Sequence, residues 1–272
     1  MSVQQRNNVN VTGSGSATLF LSHGFGCDQR MWRFVVPALA QRYRIVTLDL
    51  VGSGRSDLSA YDPLKYDRLN GYADDLLEVV ERFAEGPAVM VGHSASAMIG
   101  ALADLQAPGR FAAHVMIGPS PCYLNDGDYR GGFEPADIDN LLQTLDSNYL
   151  GWASTTAPAI MGAPGQPELS EELTRSFCNT DPEVAKQFAR VIFTGDHRAE
   201  LKHLHTPTLV LLCTDDMIVP PSVGEYLQAT LSDCTLHWVE NTGHLPHASA
   251  PDACIAAINA YLPTRLGVAH AR

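Results

Sequence analysis

Six short apolar runs, spread along the chain and separated by helical patterns, limit what this sequence can fold into. They are ATLFLS (17–22), RIVTLDL (44–50), AVMVG (88–92), HVMIG (114–118), TLVLLC (208–213) and TLHWV (235–239). All but the first and last are nearly continuous in apolar residues, as strands covered on both faces must be. Between them, YADDLLEVVERFA (72–84) and IAAINAYL (255–262) carry apolar residues at helical spacing. Buried strands alternating with helices predict an α/β fold on a parallel sheet with helical crossovers. At 272 residues the chain suits a single domain, 1–272, with an insertion.

The rhythm fails once. Residues 119–207 hold no comparable run, yet they are rich in helix formers, as in FEPADIDNLLQTLDSNYLGW and PELSEELTRSFCNTDPEVAKQFARVIF. A structureless loop of that length does not belong in a compact domain. The stretch from about 121 to 192 therefore predicts a helical cap over one edge of the sheet.

The chemistry is expected where ligands bind in such sheets, outside the carboxyl ends of the strands. AVMVG runs into Gly92-His93-Ser94-Ala95-Ser96 and then a small-residue helix. G-x-S-x-G at a strand-to-helix turn is the nucleophile elbow, in which strain pushes the serine Oγ outward and small neighbours let strand and helix approach. Ser96 replaces the second glycine; Ala95 and Ala97 beside it absorb its modest extra bulk. The elbow gains weight only if an acid and a histidine follow in that order. Asp215-Asp216 follows TLVLLC, and Gly243-His244-Leu245-Pro246-His247 follows TLHWV, both at strand carboxyl ends. Asp216 and His244 complete the candidate triad; Asp215 is read as a turn or solvated residue, and His247 as structural. Phe25, in SHGFG after the first run, and Ala95, after the serine, are the expected oxyanion-hole N–H donors. DLVGSGRSD (49–57) lacks the lysine and spacing of a phosphate loop and reads as structural.

Other chemistries find little support. A net charge of −12, from 18 Lys+Arg against 30 Asp+Glu, repels polyanions and argues against nucleic acid as a partner. No segment approaches the ~20 apolar residues of a membrane span. The start, MSVQQRNNVN, lacks a signal-peptide pattern, so the expected location is cytoplasmic. The six cysteines are scattered without a C-x-x-C pair. His244 with His247, or His203 with His205, lacks the companions of a metal site, and no metal or cofactor is expected.

HGFGCDQRMW (23–32), DLVGSGRSD (49–57), GPSPCYLND (118–126), YLGWA (149–153), RSFCNTDPEVAKQFAR (175–190) and GHLPH (243–247) together span nearly the whole chain. In these motifs the chain resembles the α/β-hydrolase superfamily, and within it the RsbQ-type regulators and the plant karrikin and strigolactone receptors, with the likeness to RsbQ strongest. The resemblance implies a mostly parallel eight-stranded sheet flanked by helices, with a four-helix cap over a closed apolar pocket. It places the triad on Ser94, Asp216 and His244, and departs from the elbow pattern at Ser96. Phe25, Trp152, Phe193, Ile218 and Leu245 match the family's pocket lining, with Phe133 and Tyr123 as weaker candidates. A serine nucleophile excludes the dehalogenase and epoxide-hydrolase chemistry of similar proteins that use aspartate. Three functions stay open: a metabolic carboxylesterase, a signalling protein that senses a small hydrophobic ester or lactone, and a carbon–carbon bond hydrolase. The likeness to RsbQ favours the second and implies a PAS-containing phosphatase as protein partner.

Overall fold

In the computed structural model, which describes residues 1–267, each apolar run becomes a strand. The strands are β1 (Asn10–Thr12), β2 (Thr18–Ser22), β3 (Arg44–Leu48), β4 (Ala88–His93), β5 (Ala113–Ile117), β6 (Thr208–Asp215) and β7 (Cys234–Thr242). They form one sheet in the order β1-β3-β2-β4-β5-β6-β7, in which only β1 runs antiparallel to its neighbour. The helices are α1 (Val3–Arg6), α2 (Val36–Leu39), α3 (Leu69–Phe83), α4 (Ala95–Gln106), α5 (Pro135–Met161) and α6 (Pro167–Asn179). They continue as α7 (Pro182–Phe193), α8 (Arg198–Leu201), α9 (Pro221–Thr230), α10 (Pro246–Ser249) and α11 (Pro251–Leu266).

The mostly parallel sheet agrees with expectation, but the count of eight does not: seven strands pair among the described residues. The N-terminus supplies a physical reason. Ser2 and Gln5 close a reciprocal capping box that commits Val3–Arg6 to a helical turn. Arg6 then binds Glu78 and Asp75 of α3 at 2.9 and 3.2 Å. This segment is thereby held against a helix instead of extending the sheet edge. The short β1, exposed at all three residues, has no apolar pattern to announce it.

Pleating sends alternate strand residues to opposite faces. Phe20, Val46, Met90 and Val210 pack with Leu76 of α3, Ile99 of α4 and Leu227 of α9. Leu19, Leu21, Val89, Val91 and Leu209 pack on the other face with Leu39 of α2 and Ile258 of α11. Two-sided burial, about 1.5–3 kcal/mol for each large aliphatic side chain, explains the continuous apolar runs. It also fixes the carboxyl end of the central strand β4, where the chain turns into α4.

Helices α5, α6 and α7 lie between β5 and β6 in the chain. The first is broken at Asn148 (φ −155°, ψ 72°), so the three contain four helical segments. The Asn148 side-chain oxygen Oδ1 accepts the Gly151 N–H at 3.0 Å and so caps the segment that follows the break.

Candidate active site

Ser94 joins β4 to α4 with φ 53° and ψ −121°. Among the described non-glycine residues only Asn8 shares a positive φ, a strain of about 1–3 kcal/mol. Packing enforces it. The Ser94 N–H donates to the Ile117 carbonyl at 2.8 Å. A Cβ on Gly92 would stand 2.5 Å from the Ser96 carbonyl oxygen, so strand and helix meet too closely for any side chain there. Ser96 does more than fit: fully buried, it donates its hydroxyl to the His23 carbonyl at 2.5 Å and bonds the Ser22 hydroxyl at 2.8 Å.

The two adjacent aspartates separate clearly. Asp216 Oδ2 bonds His244 Nδ1 at 2.7 Å, and Oδ1 accepts the Ile218 and Val219 N–H groups at 2.8 and 3.3 Å. Burial raises the Asp216 carboxyl, but attraction to His244 and these hydrogen bonds outweigh it and hold it below its usual value. Asp215 is exposed and bonds Thr242 Oγ1 at 3.2 Å. A carboxylate can only accept, so His244 Nδ1 donates in this bond and Nε2 is the ring nitrogen left over. That Nε2 is buried without a hydrogen-bond partner among the described residues.

The histidine is held through its backbone. The His244 N–H donates to the Ile160 carbonyl of α5 at 2.8 Å, and His93 Nε2 bonds the His244 carbonyl at 2.9 Å. A Cβ on Gly118, in the GPSPCYLND stretch, would reach within 2.9 Å of the His244 ring, so glycine there makes room for the imidazole. His247 lies fully buried against Trp32, ring centroids 4.3 Å apart, and against His93 at 4.6 Å. Burial first, then repulsion from His244, pushes it down to about 3, so it is neutral.

Ser94 and His244 line one apolar cavity of about 30 Å³ together with Phe25, Tyr123, Phe193, Ile218 and Leu245. Cys27, His93, Ile160, Leu173, Phe177 and Ile192 complete the wall. These six lay outside the expected lining: for the four on helices, Ile160, Leu173, Phe177 and Ile192, periodicity marks a buried face without saying what it faces, while Cys27 lies in the loop after β2 and His93 ends β4. Trp152 differs from expectation: it does not line the cavity but packs behind Phe25 and Phe177, with centroids at 6.1 and 5.4 Å. Phe133 likewise stands behind Tyr123 and Phe193. Burial pushes the Tyr123 phenol up to about 12, leaving a neutral hydroxyl on the wall. The Phe25 and Ala95 N–H groups donate to no group among the described residues. Gly26 (φ 70°) lets the Phe25 loop pass Phe177, whose ring a Cβ would meet at 2.2 Å. In the DLVGSGRSD loop, the buried Asp49 carboxylate accepts the Gln29 and Arg55 N–H groups at 2.8 and 2.9 Å. An acid thus stands where a phosphate loop would need its anion.

The sheet, the elbow and the histidine–carboxylate pair at the strand carboxyl ends define a hydrolase of the α/β class. The alpha/beta hydrolase family matches residues 19–257, and the chain belongs to it. It is 38% identical to karrikin insensitive 2 receptor CA of Petunia hybrida, covering 94% of this chain and 95% of that one. It is also 38% identical to strigolactone esterase D14 of Arabidopsis thaliana, covering 94% and 96%. Among solved structures, a hydrolase from Oleispira antarctica superimposes with a TM-score of 0.92 at 38% identity, over 96% of each chain. No helix among the described residues is long and apolar enough to cross a membrane.

Proposed function

We propose that this chain is a serine hydrolase of small apolar esters or lactones, with Ser94 as nucleophile, His244 as base and Asp216 orienting the imidazole. The observation that carries this reading is a strained elbow serine sharing an apolar cavity with a histidine whose Nδ1 is bonded to a buried carboxylate. In the reaction, His244 Nε2 takes the Ser94 proton as Oγ bonds the carbonyl carbon, and the Phe25 and Ala95 N–H groups receive the oxyanion. Collapse of the intermediate breaks the ester C–O bond, and His244 returns the proton to the departing oxygen. Water, deprotonated by His244, then attacks the acyl group and frees Ser94. The test is Ser94→Ala with short-chain p-nitrophenyl esters: turnover falls roughly 10³- to 10⁶-fold while the protein stays folded. Near-normal turnover sinks the assignment.

The 38% identity to karrikin insensitive 2 receptor CA, over 94% of the chain, supports a ligand-sensing role alongside ester hydrolysis. A space of about 30 Å³ holds about two waters, so an ester of several carbons must displace the wall as it enters. Helices α5, α6 and α7 supply five of those wall residues, Ile160, Leu173, Phe177, Ile192 and Phe193, so occupancy shifts their equilibrium. Amide hydrogen exchange on Ser94→Ala, with and without a slowly hydrolysed lactone, should show altered exchange in these helices. The lactone-loaded protein should then retain a PAS-containing phosphatase. Identical exchange and no retention leave an ordinary esterase. A carbon–carbon hydrolase of diacids fits poorly, because no lysine or arginine lines the cavity to pair with a carboxylate.

A further inference from the structure

The two N–H groups proposed to hold the oxyanion belong to different elements. Phe25 lies in the loop after β2, and Ala95 opens α4. The β2–β4 register ends at Ser22 opposite Gly92, so residues 23–26 lie outside the sheet ladder. Something else must set the distance between the two donors.

Buried hydrogen bonds supply it. Ser96 Oγ donates to the His23 carbonyl at 2.5 Å. A carbonyl only accepts, so this contact uses Ser96's one hydroxyl hydrogen, and the 2.8 Å contact with Ser22 Oγ is a bond that Ser22 donates. The His23 ring secures the next peptide: Nε2 accepts the Leu50 N–H at 3.1 Å, which leaves Nδ1–H to donate to the Gly24 carbonyl at 2.9 Å. Ser22, His23 and Ser96 are fully buried, so water does not replace a bond that is lost. There is little slack, since a Cβ on Gly24 would stand 2.7 Å from His93 Nδ1 and 2.9 Å from Ser94 Cβ. Glycine, the usual residue at position 96 of the elbow, has no hydroxyl to make this tie.

We propose that Ser96, supported by Ser22, is a positioning residue: its hydroxyl ties the Phe25 loop to α4 and so fixes the Phe25 N–H relative to the Ala95 N–H. The proposal rests on the reading of Ser94 as nucleophile. An oxyanion exists only along the reaction path, so the tie acts on kcat and not on substrate binding. Complete loss of one oxyanion donor costs about 10²- to 10³-fold in kcat. Displacement without loss predicts roughly 10- to 100-fold for Ser96→Ala and Ser96→Gly.

The experiment compares Ser96→Ala, Ser22→Ala and the double variant on p-nitrophenyl acetate, with kcat, KM and thermal midpoint measured for each. Inactivation by an alkyl p-nitrophenyl phosphonate, whose adduct carries a tetrahedral oxyanion, is measured alongside. The expected result is a drop in kcat with KM nearly unchanged and a parallel drop in phosphonylation rate. Ser22→Ala should lose several-fold, and the double variant no more than Ser96→Ala, because Ser22 acts through Ser96. Full kcat in Ser96→Ala, or losses that multiply in the double variant, overturns the proposal. So does a fall in thermal midpoint with kcat and phosphonylation intact, which marks a purely structural bond. If Ser96→Ala does not fold, Ser22→Ala decides alone by the same kcat and phosphonylation criteria. Undiminished turnover by Ser94→Ala defeats instead the nucleophile assignment on which the proposal rests.

Discussion

Replacing Gly243 by alanine sets a methyl group against the end of α5, one residue before His244. At φ 105° an L side chain is already strained, at about 1–2 kcal/mol. The new Cβ would stand 2.0 Å from the Met161 carbonyl oxygen and 2.6 Å from its carbonyl carbon, whereas ordinary contact begins near 3.4 Å. Both obstacles are backbone, so the histidine loop and the helix end must part by more than 1 Å. That movement strains the 2.8 Å bond from the His244 N–H to the Ile160 carbonyl, and losing a buried bond costs a further 1–2 kcal/mol or so. Gly243→Ala should therefore lose about 2–4 kcal/mol in urea denaturation. A misplacement near 1 Å at the base should lower kcat/KM on a short-chain ester roughly 10²-fold. Gly109→Ala is the control, because Gly109 also has positive φ (81°) but no heavy atom within 4 Å of its Cβ position. It should lose about 1–2 kcal/mol and keep its activity. If Gly243→Ala keeps kcat/KM within threefold, or Gly109→Ala loses as much activity, the contact between α5 and the histidine loop does not position the base.

The adjacent aspartates give a sharper contrast: Asp216→Asn should lower kcat about 10⁴-fold by favouring the wrong tautomer of His244, and Asp215→Asn should change it less than threefold. The reverse ranking moves the acid to Asp215. Protonation of the buried histidines should shape stability toward acid. His247 falls from its ordinary 6.5 to about 3 on folding, and His93 is lowered well below 6.5 by burial and then by the other histidines. Below pH 6.5 the unfolded chain binds protons that the folded chain refuses. Stability is therefore full above that pH and declines as pH falls toward 3, by up to about 1.4 kcal/mol per pH unit for each histidine. His247→Leu should flatten the decline of the urea midpoint between pH 6.5 and 4, and an unchanged slope contradicts this. Trp152→Ala should cost about 3–5 kcal/mol in the same assay, because the ring supports Phe25 and Phe177 from behind; a loss below 1 kcal/mol refutes that role.

Strands buried on both faces leave a signal that depends on few other choices, which is why β2 through β6 were legible as apolar runs; β7, a largely exposed edge strand, was marked only by the shorter alternating run TLHWV. Edge strand β1 was not legible, since its exposed residues bury nothing, and the capping box that holds Val3–Arg6 in a helical turn acts through local side-chain bonds. The elbow, Asp216 and His244 follow from residue types at strand ends, where the parallel sheet already dictates position. The lining was only partly legible. Whether an aromatic residue on a cap helix faces the cavity or backs another ring depends on packing between helices, and Trp152 lost the place to Phe25 and Phe177. Ser96 shows the same limit: its sequence context gives its volume, but the carbonyl that receives its hydroxyl comes from His23, in another loop.

Capture of the acyl-enzyme tests Ser94 most directly. The protein is mixed with excess p-nitrophenyl acetate, quenched in acid during turnover and analysed by intact and peptide mass spectrometry. The expected result is a single acetyl adduct, on the peptide containing Ser94, that disappears in Ser94→Ala along with turnover. An adduct formed at another residue, with Ser94→Ala still turning over at the parent rate, would contradict nucleophilic catalysis by Ser94.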